Sequence, residues 1–487
     1  MECGLNFLFN PRAIAIVGAS DDPSRIGGLT IRFLRQHGYN GKIFPVNPKY
    51  KKIANLPCFP ALADIPEAVD LALVVIPRKS VLDAFKQCAD KKVPFVILFT
   101  AGYAEMGEAG RKEQERLRRF SMQAGIRVVG PNCIGIINTH DHVAASFITG
   151  LEIDSLIPGS IGLITQSGGI GNSILTRAND RSIGLTLFVS SGNELDLEVS
   201  DFLEHFVRDE KTRCIALLVE DLKDPRRFAH VADKALQAGK PIVALKVGRS
   251  EKGREAAASH TGAMSGPDAL YDGLFRQKAI CRVFDIDDLL EVANLFARYG
   301  APVGDRVAIL SSSGGGGALL GDLAFDSKLR LPAPSPRTLN QLRDLIPAVG
   351  SIANPMDITT QFMNDPEAIA RYLRAFAEDE NFDVVILTLT ISTSDRTLRV
   401  AERIAELWSS LPKPLVVCWP VGNGARQAFS CLERAGVPLF FHPARCLAAV
   451  GHFVRYGISR KTQLNTDGLD RTLEMKFDNA RQQVVPS

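Results

Sequence analysis

Residues 13–28 read AIAIVGASDDPSRIGG: five apolar residues, a glycine at 18, the small pair Ala19 and Ser20, a polar turn and the start of a helix. A buried strand that feeds a helix through small residues is the opening of a βαβ unit. The N–H groups at such a helix start can approach a phosphate. The same opening returns as IGLITQSGG at 161–169 and as RVAILSSSGGGG at 306–317. The likeness is one of architecture and only weakly one of sequence. Three such openings in 487 residues predict an α/β chain of about three units, each a mostly parallel sheet covered by helices.

Short apolar runs bounded by turn residues extend this reading along the chain. After AIAIV (13–17) the first unit continues with KIFPV (42–46), LALVVI (71–76), FVILF (95–99) and RVV (127–129). The second holds IGLIT (161–165), LTLFV (185–189), CIALLV (214–219), PIVALKV (241–247) and ICRVF (280–284). The third holds RVAIL (306–310), DVVILTL (383–389), PLVVCW (414–419) and PLFF (438–441). Pro and Gly at 155–160 and 298–305 mark the seams, so the expected domains are 1–150, 151–300 and 301–457. A polar tail at 458–487 is expected to be a loose extension or a docking segment.

Composition narrows the function classes. Lys plus Arg number 57 against 54 Asp plus Glu, with no long basic block, which argues against nucleic acid and membrane surfaces as partners. Nine cysteines, an odd number without a C-x-x-C pair, suggest neither a disulfide framework nor a zinc site, and no metal is expected. No apolar run reaches the ~18 residues of a membrane span, and the start of the chain lacks a signal-peptide pattern. A soluble, cytoplasmic protein is expected.

The first unit lacks the full dinucleotide fingerprint, because Gly18 is followed by Ala19 and Ser20. Where an acid would hold a bare ribose, the second strand ends in Asn47 with Lys49 behind it. A lysine there suits a ligand with an extra phosphate, either NADP or coenzyme A. Other strand ends carry Pro77, the run Thr100, Ala101 and Gly102, and Asn132 after Pro131. These either shape turns or line the carboxyl edge where open sheets bind ligands.

In the second unit Gln166, Ser167, Asn193 and Glu220 follow successive strands, and His260 lies in the small-residue run EAAASHTGAM (255–264), expected to be a loop. Parallel strands put these groups on one edge. Gly168 and Gly169 open a helix whose N–H groups and dipole suit a phosphoryl group. Glu220 is either a helix-cap partner or a carboxylate that holds one imidazole nitrogen and leaves the other nucleophilic. A helix start, a carboxylate and an imidazole fit a phosphohistidine site, and no G-x-S-x-G elbow offers a hydrolase instead. GRSEKGRE (248–255) has P-loop spacing but Arg254 and Glu255 in place of the required Lys and Ser or Thr, so it is not a P-loop.

Taken in order, IVGAS, FPVNPKY, VGPNCIG, ITQSGGIG, the Glu220 strand end and SHTGA resemble the NDP-forming acyl-CoA synthetases, the superfamily of succinyl-CoA synthetase, and within it the α subunits of ADP-forming acetate-CoA ligases. The resemblance runs from about residue 7 to 457. It implies a Rossmann-like CoA-binding domain followed by two flavodoxin-like domains. It implies coenzyme A at Gly18, Ala19, Ser20, Asn47, Lys49, Pro77, Thr100, Ala101, Gly102 and Asn132. A phosphate cradle at Gln166 to Gly169, transient phosphorylation of His260 steadied by Glu220, and a substrate pocket near Asn193 follow in the same way. The implied reaction links an acid, CoA and ATP through an acyl phosphate and phosphohistidine, with the His260 loop moving between two sites. No ATP-grasp domain is visible after residue 457, so ATP or ADP and Mg²⁺ are expected on a separate ATP-grasp β subunit in a hetero-oligomer. The competing expectations are a CoA-binding regulatory or scaffold protein, and an NADP-dependent oxidoreductase built on the first domain.

Overall fold

The computed structural model describes residues 4–261, 266–302, 304–343, 345, 352–392 and 394–482, with side chains throughout except at 258–261, 361, 364, 366, 394 and 464–482. The chain divides into two compact units, residues 1–293 and 294–487.

The first unit contains two sheets. Strands β1 (Ala13–Val17), β2 (Lys42–Val46), β3 (Leu71–Val74), β4 (Phe95–Leu98) and β5 (Arg127–Val129) form a parallel sheet in the order β2-β1-β3-β4-β5. Their side chains are almost all buried, as expected of strands covered on both faces. Arg12, just before β1, anchors the base of the sheet. Its backbone N–H and guanidinium donate three hydrogen bonds, 2.8–2.9 Å long, to the carboxylate of Asp70 just before β3.

Two strands before the expected seam, β6 (Gly135–Asn138) and β7 (Val143–Ser146), join the second sheet. They form an antiparallel hairpin on the edge of five parallel strands, β8 (Pro158–Thr165), β9 (Leu185–Ser190), β10 (Cys214–Val219), β11 (Ile242–Lys246) and β12 (Cys281–Val283). The full order is β12-β11-β10-β8-β9-β6-β7. The two hairpin strands themselves are buried, and antiparallel edging of a parallel sheet closes it without a crossover helix. A continuous core runs from Ile14 and Ile16 of the first sheet to Phe202, Phe206 and Ile215 beside the second. The backbone N–H groups of Asn193, Leu195 and Leu197 donate to the carbonyls of Pro131, Gly130 and Val128, stitching the turn after β9 along the edge of β5.

The second unit has its own parallel sheet, β13 (Val307–Ser311), β14 (Met356–Asp357), β15 (Val384–Thr388), β16 (Leu415–Cys418) and β17 (Leu439–Phe440), in the order β14-β13-β15-β16-β17. The fork at its base repeats that of the first sheet. Arg306 donates from its backbone N–H, Nε and Nη2 to Asp383 at 3.0, 2.9 and 2.7 Å. The expected tail is not a separate segment in the backbone: one helix runs from Pro443 to Gln482.

The five parallel strands of each sheet follow one another in the same pattern. The first strand lies between the second and the third, so the winding direction reverses there. Ligands of such sheets bind at the carboxyl ends of the strands flanking that switch point. In the first unit these are the ends of β1 and β3, and of β8 and β10.

Candidate active site

The carboxyl edge of the first sheet is a rim of short hydrogen bonds. Gly18 has φ +92°, and a Cβ there would come within 2.3 Å of the Val75 carbonyl oxygen, so only glycine lets the loop close on β3. The N–H groups of Gly18 and Ala19 are engaged by the carbonyls of Val46 and Ile16, at 3.0 and 3.3 Å. The Asn47 amide donates to the Ala19 carbonyl at 2.8 Å and accepts from the Lys49 N–H at 3.0 Å. Asn47 thereby ties the end of β2 to the loop containing Ser20 and leaves the Lys49 side chain exposed. Pro77, exposed, precedes a turn from which Arg78 reaches the carbonyl of Gly102. The Thr100 hydroxyl donates to the Ile76 carbonyl at 2.7 Å, and the Asn132 N–H to the Thr100 carbonyl at 3.2 Å. Ala101 is exposed between them, so all ten expected cofactor residues lie on this one edge.

On the second sheet β8 ends in Gln166 and Ser167, and helix Gly168–Asp180 begins at once. A Cβ on Gly168 would lie 2.8 Å from a methyl of Ile134, whereas Gly169 faces open space. The N–H groups at the start of this helix lack acceptors within the helix, as at any helix start.

The Gln166 side chain is engaged within the protein. Its Oε1 accepts from the backbone N–H groups of Glu220 and Asp221, at 2.6 and 3.0 Å. Its Nε2 donates to the Asp221 carbonyl at 2.8 Å and to Glu194 Oε1 at 2.9 Å. With both amide hydrogens used, the side chain holds the Glu220 strand end beside the helix start. Glu220 itself is 7% exposed at the end of β10.

The Asn193 side chain is likewise engaged within the protein. Its amide nitrogen donates to Glu105 at 2.5 Å and Gln114 at 3.1 Å, and its Oδ1 accepts from Asn132 at 3.3 Å. It joins the carboxyl edges of the two sheets. Burial raises the Glu105 carboxyl, but hydrogen bonds from the Gly102 N–H and the Asn193 amide outweigh it and lower its pKa.

His260 is not in a loop. It is the penultimate residue of helix Glu251–Thr261, because Ala256 to Ala258 are strong helix formers; its side chain lies outside the described residues.

Three groups beside this edge escaped the sequence reading. Glu194, at φ +55°, is wholly buried, and burial pushes its carboxyl up to about 7 against the ammonium of Lys223 and the donors Gln166 and Ser191. Lys223 spends its ammonium on the carbonyls of Asn193 and Glu194, and its own pKa is lowered by burial. Lys246, 2% exposed at the end of β11, was signalled by a lone cation in the apolar run PIVALKV.

Two α/β sheets with glycine-bearing switch points meet edge to edge beside a buried glutamate, and comparison with known proteins assigns this arrangement to the ligases of the acyl-CoA synthetase type. Residues 12–139 match the CoA binding domain family, 158–296 the succinyl-CoA ligase like flavodoxin domain and 307–456 the Ligase-CoA domain. The α subunit of acetate–CoA ligase [ADP-forming] II from Pyrococcus furiosus is 33% identical over 91% of this chain and 96% of its own length. A trans-feruloyl-CoA synthase of an unknown prokaryotic organism is 32% identical over 91% of this chain, which spans 63% of it. Among solved structures, the acetyl-coenzyme A synthetase 1 of Ca. Korarchaeum cryptofilum in complex with phosphate and ADP matches with a TM-score of 0.88. That likeness is at 30% identity and covers 95% of this chain and 98% of that one. The chain belongs to the family of ADP-forming acid–CoA ligases and corresponds in extent to their α subunits.

Proposed function

We propose that the chain forms or cleaves an acyl-CoA thioester through an acyl phosphate and a phosphohistidine at His260. The observation that carries this reading is the Gln166 staple, which fixes the Glu220 strand end beside the open helix start at Gly168 and Gly169. A phosphoryl group at that helix start is stabilised by unpaired N–H donors and the helix dipole. Glu220 accepts a hydrogen bond from one imidazole nitrogen of His260 and leaves the other to attack phosphorus.

In the direction of synthesis, a carboxylate oxygen attacks phosphorus and the P–N bond to His260 breaks, giving the acyl phosphate. The CoA sulfur then attacks the acyl carbonyl and inorganic phosphate leaves. Coenzyme A occupies the rim of the first sheet, with Lys49 available to a phosphate at its mouth. The meeting of the two edges at Asn132 and Asn193 brings thiol and acyl phosphate together. ATP or ADP and Mg²⁺ are held by an ATP-grasp β subunit that completes a hetero-oligomer. The acid is a carboxylic acid, and the names of the relatives span acetate to trans-ferulate.

The test is to mix the chain with its nucleotide-binding partner and γ-labelled ATP. Label appears on this chain, acid-labile and base-stable, and His260→Ala removes it while CoA affinity stays within about twofold. Label that survives His260→Ala overturns the assignment.

A further inference from the structure

The helix that bears His260 lies in the chain between Lys246, at the end of β11, and helix Asp268–Gln277. The residues at its two roots touch each other. The Lys246 ammonium lies 4.6 Å from the centre of the Tyr271 ring, and both side chains are buried. The Tyr271 hydroxyl donates to Asp221 Oδ1 at 2.5 Å. Asp221 follows Glu220 directly, and the N–H groups of both rest on Gln166 Oε1.

The exit helix is fixed independently. Arg282 of β12 donates to Asp268 and Asp272 at 2.5 and 3.2 Å, and Tyr271 packs edge-on against Phe275 at 6.2 Å. The charged groups facing the Lys246 ammonium are Asp221, Asp268, Glu220 and Arg282. Burial lowers the pKa of the Lys246 ammonium, and the three carboxylates oppose that shift.

We propose that Lys246, Tyr271 and Asp221 form a clasp that ties both roots of the His260-bearing segment to the strand end carrying Glu220. The clasp thereby sets how readily His260 is presented to Glu220 for phosphorylation. The three are positioning residues, and the proposal rests on the phosphohistidine reading. A segment whose ends are pinned beside its target meets it at a higher effective concentration than one whose ends are free.

Single-turnover labelling of this chain by an acyl-CoA and labelled inorganic phosphate, in its complex with the partner, separates positioning from damage. Misfolding lowers the amplitude of labelling; mispositioning lowers its rate constant and leaves the amplitude whole. Tyr271→Phe keeps the ring beneath Lys246 but loses the bond to Asp221, and it slows labelling about five- to tenfold at full amplitude. Asp221→Asn keeps an acceptor for the hydroxyl and labels within about threefold of wild type. Lys246→Met keeps the stem without the charge. Combined with Tyr271→Phe it loses less than the product of the two single effects, because both break one clasp. CoA affinity is unchanged throughout. A Tyr271→Phe chain labelled at the wild-type rate overturns the clasp, whereas a wild-type chain without label on His260 overturns the underlying assignment.

Discussion

Glu194→Gln is the substitution whose effect follows most directly from the geometry. The carboxyl is wholly buried, and its pKa rises from 4.5 to about 7 although Gln166 and Ser191 donate to it and Lys223 is near. Burial therefore outweighs the donors, and the folded chain binds a proton that the unfolded chain has released. The sign follows: the contribution of Glu194 to stability is greatest below pH 4.5, declines as the pH rises towards 7, and is level above it. At about 1.4 kcal/mol for each tenfold change in acidity, ionised Glu194 costs about 3 kcal/mol at pH 8. A glutamine keeps the oxygen that accepts from Gln166 and Ser191 but has no proton to lose. The variant is expected to be more stable than wild type at pH 8 by up to about 3 kcal/mol, and to lose the decline between pH 5 and 7. Urea unfolding followed by hydrogen exchange in strand 185–190 from pH 5 to 8 reads the unit that contains residue 194. Equal pH profiles for the two proteins, or a variant weaker at pH 8, would refute the reasoning.

Two further substitutions test the scaffold. Gly18→Ala forces a Cβ to within 2.3 Å of the Val75 oxygen at φ +92°, and is expected to cost about 2–4 kcal/mol and to weaken CoA binding at least tenfold by calorimetric titration. Asp70→Asn and Asp383→Asn break matching forks whose arginines are partly exposed, so each is expected to cost only about 1–2 kcal/mol in urea. Burial raises both carboxyls but their arginines hold them lowered, so the stability each gives is present above about pH 4 and lost as the pH falls. The two variants should therefore show weaker acid destabilisation than wild type.

Buried parallel strands were legible in the sequence because their buried positions take apolar residues, with Lys42 and Arg127 only at the less buried strand starts. AIAIV, KIFPV, RVV and CIALLV match their strands residue for residue. The hairpin at 135–146 was not, because GIIN and VAAS are short and mix apolar with small or polar residues; only pairing with β9 decides their structure. The run around His260 reads as a loop because small residues around a histidine suggest freedom. Alanine in that run favours helix just as well. At the site, residue types at strand ends predicted which groups share an edge but not what their hydrogen atoms would meet. Gln166 and Asn193 look like ligand contacts in the sequence, and the fold spends them on backbone and side chains across about 50 to 90 positions of chain.

That use of amides explains how two independent sheets could hold one reaction. A sheet edge alone supplies helix starts and small residues but no fixed distance to a neighbouring edge. Asn193 sets that distance through Glu105, Gln114 and Asn132, while Gln166 sets the place of Glu220 relative to the helix at Gly168. Both use a neutral amide with two donors and an acceptor, so neither amide brings a cation that phosphate or carboxylate could draw away. On the proposed reading an anion enters between these edges in every step. A salt bridge in place of either amide would compete with it, because an incoming oxyanion would draw the cation away. An aspartate at 193 would also stand 2.5 Å from the Glu105 carboxylate, repelling it where the asparagine donates. The two sheets are thus held together by groups indifferent to the chemistry they frame.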